Sequence, residues 1–90
     1  MKLIYSTRFL REFKKLADQQ RKAVDAAVEE FTATPFSPRL RNHGLKGTLA
    51  GLRSISAGYD LRIIFFAHEG RYEIVSLVSV GTHGRAYRAA

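Results

Sequence analysis

Two runs of strand-forming residues, 59–67 (YDLRIIFFA) and 72–80 (YEIVSLVSV), stand four residues apart near the end of a 90-residue chain. A connection that short permits only antiparallel pairing, because a parallel partner needs a crossover of a dozen residues or more. In the first run Leu61, Ile63 and Phe65 fall on one side, with Asp60, Arg62, Ile64 and Phe66 on the other. Residues 52–56 (LRSIS) read as a third, half-buried strand joined to the first by a turn at Ala57-Gly58. His68-Glu69-Gly70-Arg71 turns the chain between the two long strands, and Gly81 is expected to end the sheet.

Upstream, the hydrophobic period is different. Residues 2–5 (KLIY) read as a short strand, followed by Ser6 or Thr7 as a helix cap. Phe9, Leu10, Phe13 and Leu16 then form an apolar stripe of helical spacing. Asp18 is expected to cap a second helix whose stripe is Val24, Ala27, Val28 and Phe31. Thr32, Thr34 and Pro35 stop it, since β-branched residues weaken a helix and proline lacks the N–H. Residues 36–42 (FSPRLRN) read as a polar loop, and Leu45, Leu49 and Leu52 lie among glycines as short strand pieces and turns. The resulting expectation is an α+β fold in one domain spanning residues 1–90. An N-terminal strand and a helical hairpin pack on a small, mainly antiparallel sheet. The opposite, concave sheet face is left open or covered only by residues 82–90, a loop or one helical turn. If Leu61, Ile63 and Phe65 face the helices, Asp60 and Arg62 point into that open face.

The absence of cysteine removes disulfides, cysteine-ligated zinc, iron–sulfur clusters and thiol nucleophiles together. No apolar run approaches the roughly 20 residues of a membrane span, and no signal-peptide core follows the N-terminus, so a cytoplasmic protein is expected. Fifteen Lys and Arg against eight Asp and Glu give a net charge of +7. Between positions 39 and 62 the charged residues are Arg39, Arg41, Lys46, Arg53 and Arg62 against Asp60 alone. Such a surface suits a phosphate backbone or an acidic protein.

The groups able to carry chemistry are few. There are three histidines. His43 lies in the basic loop before the sheet and His83 just past the last strand, so both reach the rim of the open face. His68 sits in a turn and is read as having no special role. Imidazoles suit proton transfer near neutral pH. One accepting and one donating a proton is what RNA cleavage by its own 2′-hydroxyl requires. Asp60 could orient a histidine, Arg62 and Lys46 could offset charge on a phosphorane, and Tyr87 could stack on a base. No metal-ligand, paired-carboxylate or phosphate-loop spacing occurs, and no cofactor is expected.

The segments Asn42-His43-Gly44-Leu45-Lys46-Gly47, Gly51-Leu52-Arg53, Gly58-Tyr59-Asp60-Leu61-Arg62-Ile63-Ile64 and Val80-Gly81-Thr82-His83 through Tyr87 resemble the RelE/ParE superfamily of bacterial toxin–antitoxin pairs. The nearest branch is YafQ-like, and the order of elements agrees over nearly the whole chain. The resemblance implies a metal-independent endoribonuclease that cuts mRNA in the ribosomal A site, grips ribosomal RNA, and is neutralised by a cognate antitoxin. It places acid–base roles on His43 and His83, a strand carboxylate at Asp60, phosphate contacts at Lys46 and Arg53, and an RNA-contacting aromatic at Tyr87. Two positions depart from the branch: Ser56 stands where a further histidine is common, and Leu61 where tryptophan is. ParE-type members share the fold and inhibit DNA gyrase, which makes gyrase inhibition the main rival. A toxin that has lost activity and only binds its antitoxin is the third reading.

Overall fold

The computed structural model describes residues 1–88, without the side chains of Arg85, Tyr87 and Arg88. Strands β1 (Lys2–Tyr5), β2 (His43–Gly44), β3 (Arg53–Ser56), β4 (Leu61–Ala67) and β5 (Ile74–Thr82) form one sheet in the order β1-β5-β4-β3-β2. Helices α1 (Thr7–Lys14) and α2 (Asp18–Ala33) lie between β1 and β2 in the chain, and α3 (His83–Arg88) follows β5. All neighbours pair antiparallel except β1 with β5, which stand far enough apart in the chain for parallel pairing. The expected α+β architecture is therefore the observed one.

One face of the sheet carries the core. Ile55, Ile63 and Val80 share a row across three strands, and Phe65 stands opposite Leu77 in the next. Phe9, Val24, Ala27 and Phe31 of the helices close over them. Phe31 meets Phe65 edge-on at 4.8 Å between centroids, and Tyr72 lies against both rings. Burying each such ring contributes about 1.5–3 kcal/mol.

A bulge sets the parity of β5. Ile64 pairs with Ser79 but Phe65 with Leu77, so Val78 is the extra residue. Without it, Val75 and Leu77 could not share the core face with Val80. Helix α1 satisfies the disturbed strand. Ser6 caps α1 by accepting from the Phe9 N–H, and its hydroxyl donates to the Val78 carbonyl at 2.8 Å. The Glu12 carboxylate accepts from the Val80 N–H at 3.1 Å. These groups take over along β5 where β1 has ended at Tyr5.

The other face is polar at its centre. Ser54, Ile64 and Ser79 share a row there, and α3 packs on β4 and β5 above it. Ala86 is fully buried at that contact, and the Ser79 hydroxyl donates to its carbonyl. Serine at both flanking positions leaves room for the helix. The remainder of this face is open, with Phe66 and Ile74 exposed on it.

Several boundaries differ from the sequence reading, each for a local reason. The cap of α2 is Ala17, whose N–H donates to the Gln20 side chain; Asp18 is the first helical residue and pairs with Arg21. Leu52 falls outside β3. Tyr59 and Asp60 do not extend β4, because both have positive φ, at 49° and 59°. Together with Gly58 they make the β3–β4 turn, each non-glycine residue costing on the order of 1 kcal/mol. Gly81 does not end the sheet: it pairs with Arg62, and Thr82 pairs with Leu61. His43 is not in a loop but in the two-residue edge strand β2, opposite Ser54.

Candidate functional site

The β3–β4 turn and the start of α3 meet at one corner of the sheet. The turn is closed by the Ala57 N–H donating to the Leu61 carbonyl and the Leu61 N–H donating to the Gly58 carbonyl. The His83 N–H donates to the Asp60 carbonyl at 3.1 Å, which ties the helix to the turn. Asp60 and His83 thus leave adjacent backbone positions, and both are exposed. Arg62 follows in the next row, opposite Ser56 and Gly81 on the open face. It is half-buried and donates to the Leu61 carbonyl. This corner therefore gathers the backbone positions of an aspartate, a histidine and an arginine, residue types able to move a proton beside a phosphate.

His43 lies elsewhere. It heads the row His43–Ser54–Ile64–Ser79, so it shares the open face, but three strand spacings and four residues separate it from His83. On an idealised flat sheet that offset is on the order of 20 Å between α-carbons. Its Nδ1 lies 2.7 Å from the Arg41 carbonyl. A carbonyl only accepts, so the neutral ring carries its hydrogen on Nδ1 and presents Nε2 as a lone pair. Arg41 reaches this position through a left-handed backbone conformation, φ 52°. Lys46 is exposed two residues beyond β2, on the same edge.

Arg53, for which the resemblance implies a phosphate contact, lies on a different face from His43. It stands opposite Gly44 and Phe65, on the helix side of the sheet, whereas His43 and Ser54 face the other way. Its Nε donates to Asn42 Oδ1 at 2.9 Å, and its guanidinium lies over the Phe36 ring at 5.8 Å. Asn42 in turn donates to the Tyr72 hydroxyl and the Pro35 carbonyl. Arg53 thereby holds the residue next to His43. Its alternation with Ile55, two positions on, was the sequence signal for this face. A groove of about 450 Å³ runs past Phe36, Arg53, Phe66 and Tyr72. A second, of about 660 Å³, lies between α2 and the β3–β4 turn. Neither is lined by His43 or His83, and both histidines are exposed.

Tyr87 belongs to α3, but its side chain lies outside the described residues. His68 is half-buried, with Nε2 at 2.7 Å from the Ser76 hydroxyl and its ring against Phe66. Among the described residues, no group of three or more His, Asp or Glu side chains could hold a metal ion. No helix among them is long and apolar enough to cross a membrane. The residue that the sequence reading passed over is Tyr59, 64% exposed beside Asp60.

Comparison with known proteins fits this architecture. The YoeB/ParE toxin from Agrobacterium tumefaciens superposes with a TM-score of 0.74 at 17% identity, over 92% of this chain and 99% of that one. YafQ from E. coli gives 0.67 at 17% identity, over 93% and 94%. The toxin–antitoxin complex RelBE2 from Mycobacterium tuberculosis gives 0.63 at 23% identity, over 91% and 96%. At these identities the likeness is one of fold. No curated protein matches the chain. The profile of the ParE toxin of type II toxin–antitoxin systems, parDE, matches residues 3–87, nearly the whole sequence. The chain belongs to that ParE toxin family, within the RelE/ParE superfamily of type II toxin–antitoxin toxins.

Proposed function

We propose that this toxin is a ribosome-dependent, metal-independent endoribonuclease whose reacting groups are gathered at the Asp60–His83 corner. The observation that carries the reading is the backbone bond between these two residues, which brings an exposed aspartate and an exposed histidine to neighbouring backbone positions. A chain whose net charge is +7 attracts a phosphate backbone without regard to sequence.

In this reading the 2′-oxygen of an mRNA nucleotide attacks its own 3′-phosphorus. The 2′-hydroxyl proton passes to the Asp60 carboxylate, and the P–O5′ bond breaks as His83 protonates the leaving oxygen. The products are a 2′,3′-cyclic phosphate and a 5′-hydroxyl end. Arg62 offsets the charge that develops on the phosphorane. The separation of the two imidazoles gives them different tasks. His43 and Lys46 hold the RNA strand along the β2 edge, and Arg53 acts as a positioning residue through Asn42. Tyr87, on α3, contacts RNA near His83. The acidic cognate antitoxin neutralises the basic surface in the cytoplasm, folding as it binds.

The test is expression of the chain without a partner, followed by primer extension on cellular mRNA. Breaks that map in frame within codons are expected, and His83→Ala is expected to remove them while the domain stays folded. Full cleavage by His83→Ala ends the reading. The ParE description of the matching family favours one rival, inhibition of DNA gyrase. That rival needs no acid–base groups: it predicts growth arrest with intact mRNA, and undiminished toxicity of His83→Ala.

A further inference from the structure

The β3–β4 turn carries a residue type that its own closure does not call for. Gly58, Tyr59 and Asp60 all have positive φ, at 77°, 49° and 59°. Glycine adopts this region freely, and aspartate and asparagine tolerate it, but a bulky aromatic residue there is an outlier. Tyr59 gains nothing visible in return. It is 64% exposed, the most exposed of the large hydrophobic side chains among the described residues. Among the described residues its side chain has no hydrogen-bond or ring partner, whereas Tyr5 and Tyr72 both pack on phenylalanines. A turn selected for stability alone would place glycine or asparagine at this position. Instead the chain holds a rigid aromatic ring outward, one residue from the carbonyl that receives the His83 N–H.

We propose that Tyr59 is a stacking platform for an unpaired nucleobase of the cleaved RNA strand, flanking the phosphate that Asp60 and His83 serve; the inference rests on the nuclease reading above. Every base has a π-face, so a single exposed ring can hold a strand without choosing its sequence. The left-handed backbone is then the cost of aiming a ring at a corner where a relaxed turn would present none. The groups around it suit the same ligand: Arg62 is in the next row of the sheet, and Asp60 is the single acidic residue between positions 31 and 68.

The prediction separates function from stability. Tyr59→Asn removes the ring and relieves the backbone, so the melting temperature should stay level or rise by up to about 4 °C. Its half-saturating mRNA concentration for cleavage in a ribosome-containing extract should rise about 5- to 100-fold, with kcat little changed. Tyr59→Phe should retain wild-type cleavage. The chain contains no tryptophan, so Tyr59→Trp introduces a sole reporter at the platform. Titration with a short, uncleavable 2′-O-methyl RNA oligonucleotide should quench its emission. Quenching without any mRNA cleavage by the wild type would keep the platform and remove the nuclease reading. Cleavage by Tyr59→Asn at wild-type half-saturation, with no quenching of Tyr59→Trp, would overturn the platform and leave the nuclease reading standing. Quenching by vacant ribosomes but not by the oligonucleotide would overturn the assignment to the cleaved strand.

Discussion

The β2 edge of the sheet and the corner where α3 begins are built in opposite ways. At the β2 edge, side chains hold side chains: Arg53 donates to Asn42, Asn42 donates to Tyr72, and Phe36 lies under the guanidinium. At the α3 corner the tie is a backbone bond, and the Asp60, His83 and Tyr59 side chains are left exposed. A network of side chains bonded to one another fixes shape, while exposed side chains on a fixed backbone can be reached from solvent. In the proposed reading, the chemistry falls to the α3 corner and the support of an RNA strand to the β2 edge.

Each region can be perturbed separately. Asp60→Asn should give the largest effect, a loss of mRNA cleavage of about 100-fold or more, since a positioned acid or base contributes about 10²–10⁴-fold. The backbone carbonyl that receives the His83 N–H survives this change, so thermal melting should be unaltered; a large fall in stability would show that the carboxylate supports the fold. Arg53→Ala should act the other way. Losing the bond to Asn42 and the Phe36 contact should destabilise the protein by about 1–3 kcal/mol in urea denaturation, with cleavage falling less than for Asp60→Asn under conditions where the variant is folded. His43→Ala should reduce cleavage about tenfold, the equivalent of roughly 1.4 kcal/mol of lost strand affinity, and the loss should appear in KM. Gly44→Ala should have the smallest effect. Its new Cβ would meet Arg53 Nη1 at 3.3 Å, and the end of a flexible side chain moves aside for less than about 1 kcal/mol.

Much of this architecture is legible in the residues themselves. The alternation of Leu61, Ile63 and Phe65 fixes the core face of β4, and the stripes of α1 and α2 fix theirs. The features that were not legible depend on tertiary partners. The bulge at Val78 is indistinguishable from a regular strand until Ser6 and Glu12 are seen to satisfy its neighbours. The strand β2 has only two residues, too few for any period, so His43 reads as loop. Tyr59 and Asp60 carry good strand and turn propensities in their local sequence, yet the His83 bond and the turn closure hold both left-handed. For the candidate site, the residue types were visible and their grouping was not. Asp60 and His83 are drawn together by a backbone contact that leaves no trace in spacing, while His43 is separated from His83 by strand order, which a sequence does not display. Arg53 was the readable exception: its parity with Ile55 puts it on the helix side.

The most direct measurement is the ratio of two losses in one ribosome-containing extract, mRNA cleavage by His83→Ala against cleavage by His43→Ala. A reacting corner at Asp60 and His83, with His43 serving only to hold the strand, predicts that His83→Ala loses about tenfold more activity or greater than His43→Ala. Equal losses, or a larger loss from His43→Ala, would contradict the division of the sheet into a reacting corner and a supporting edge.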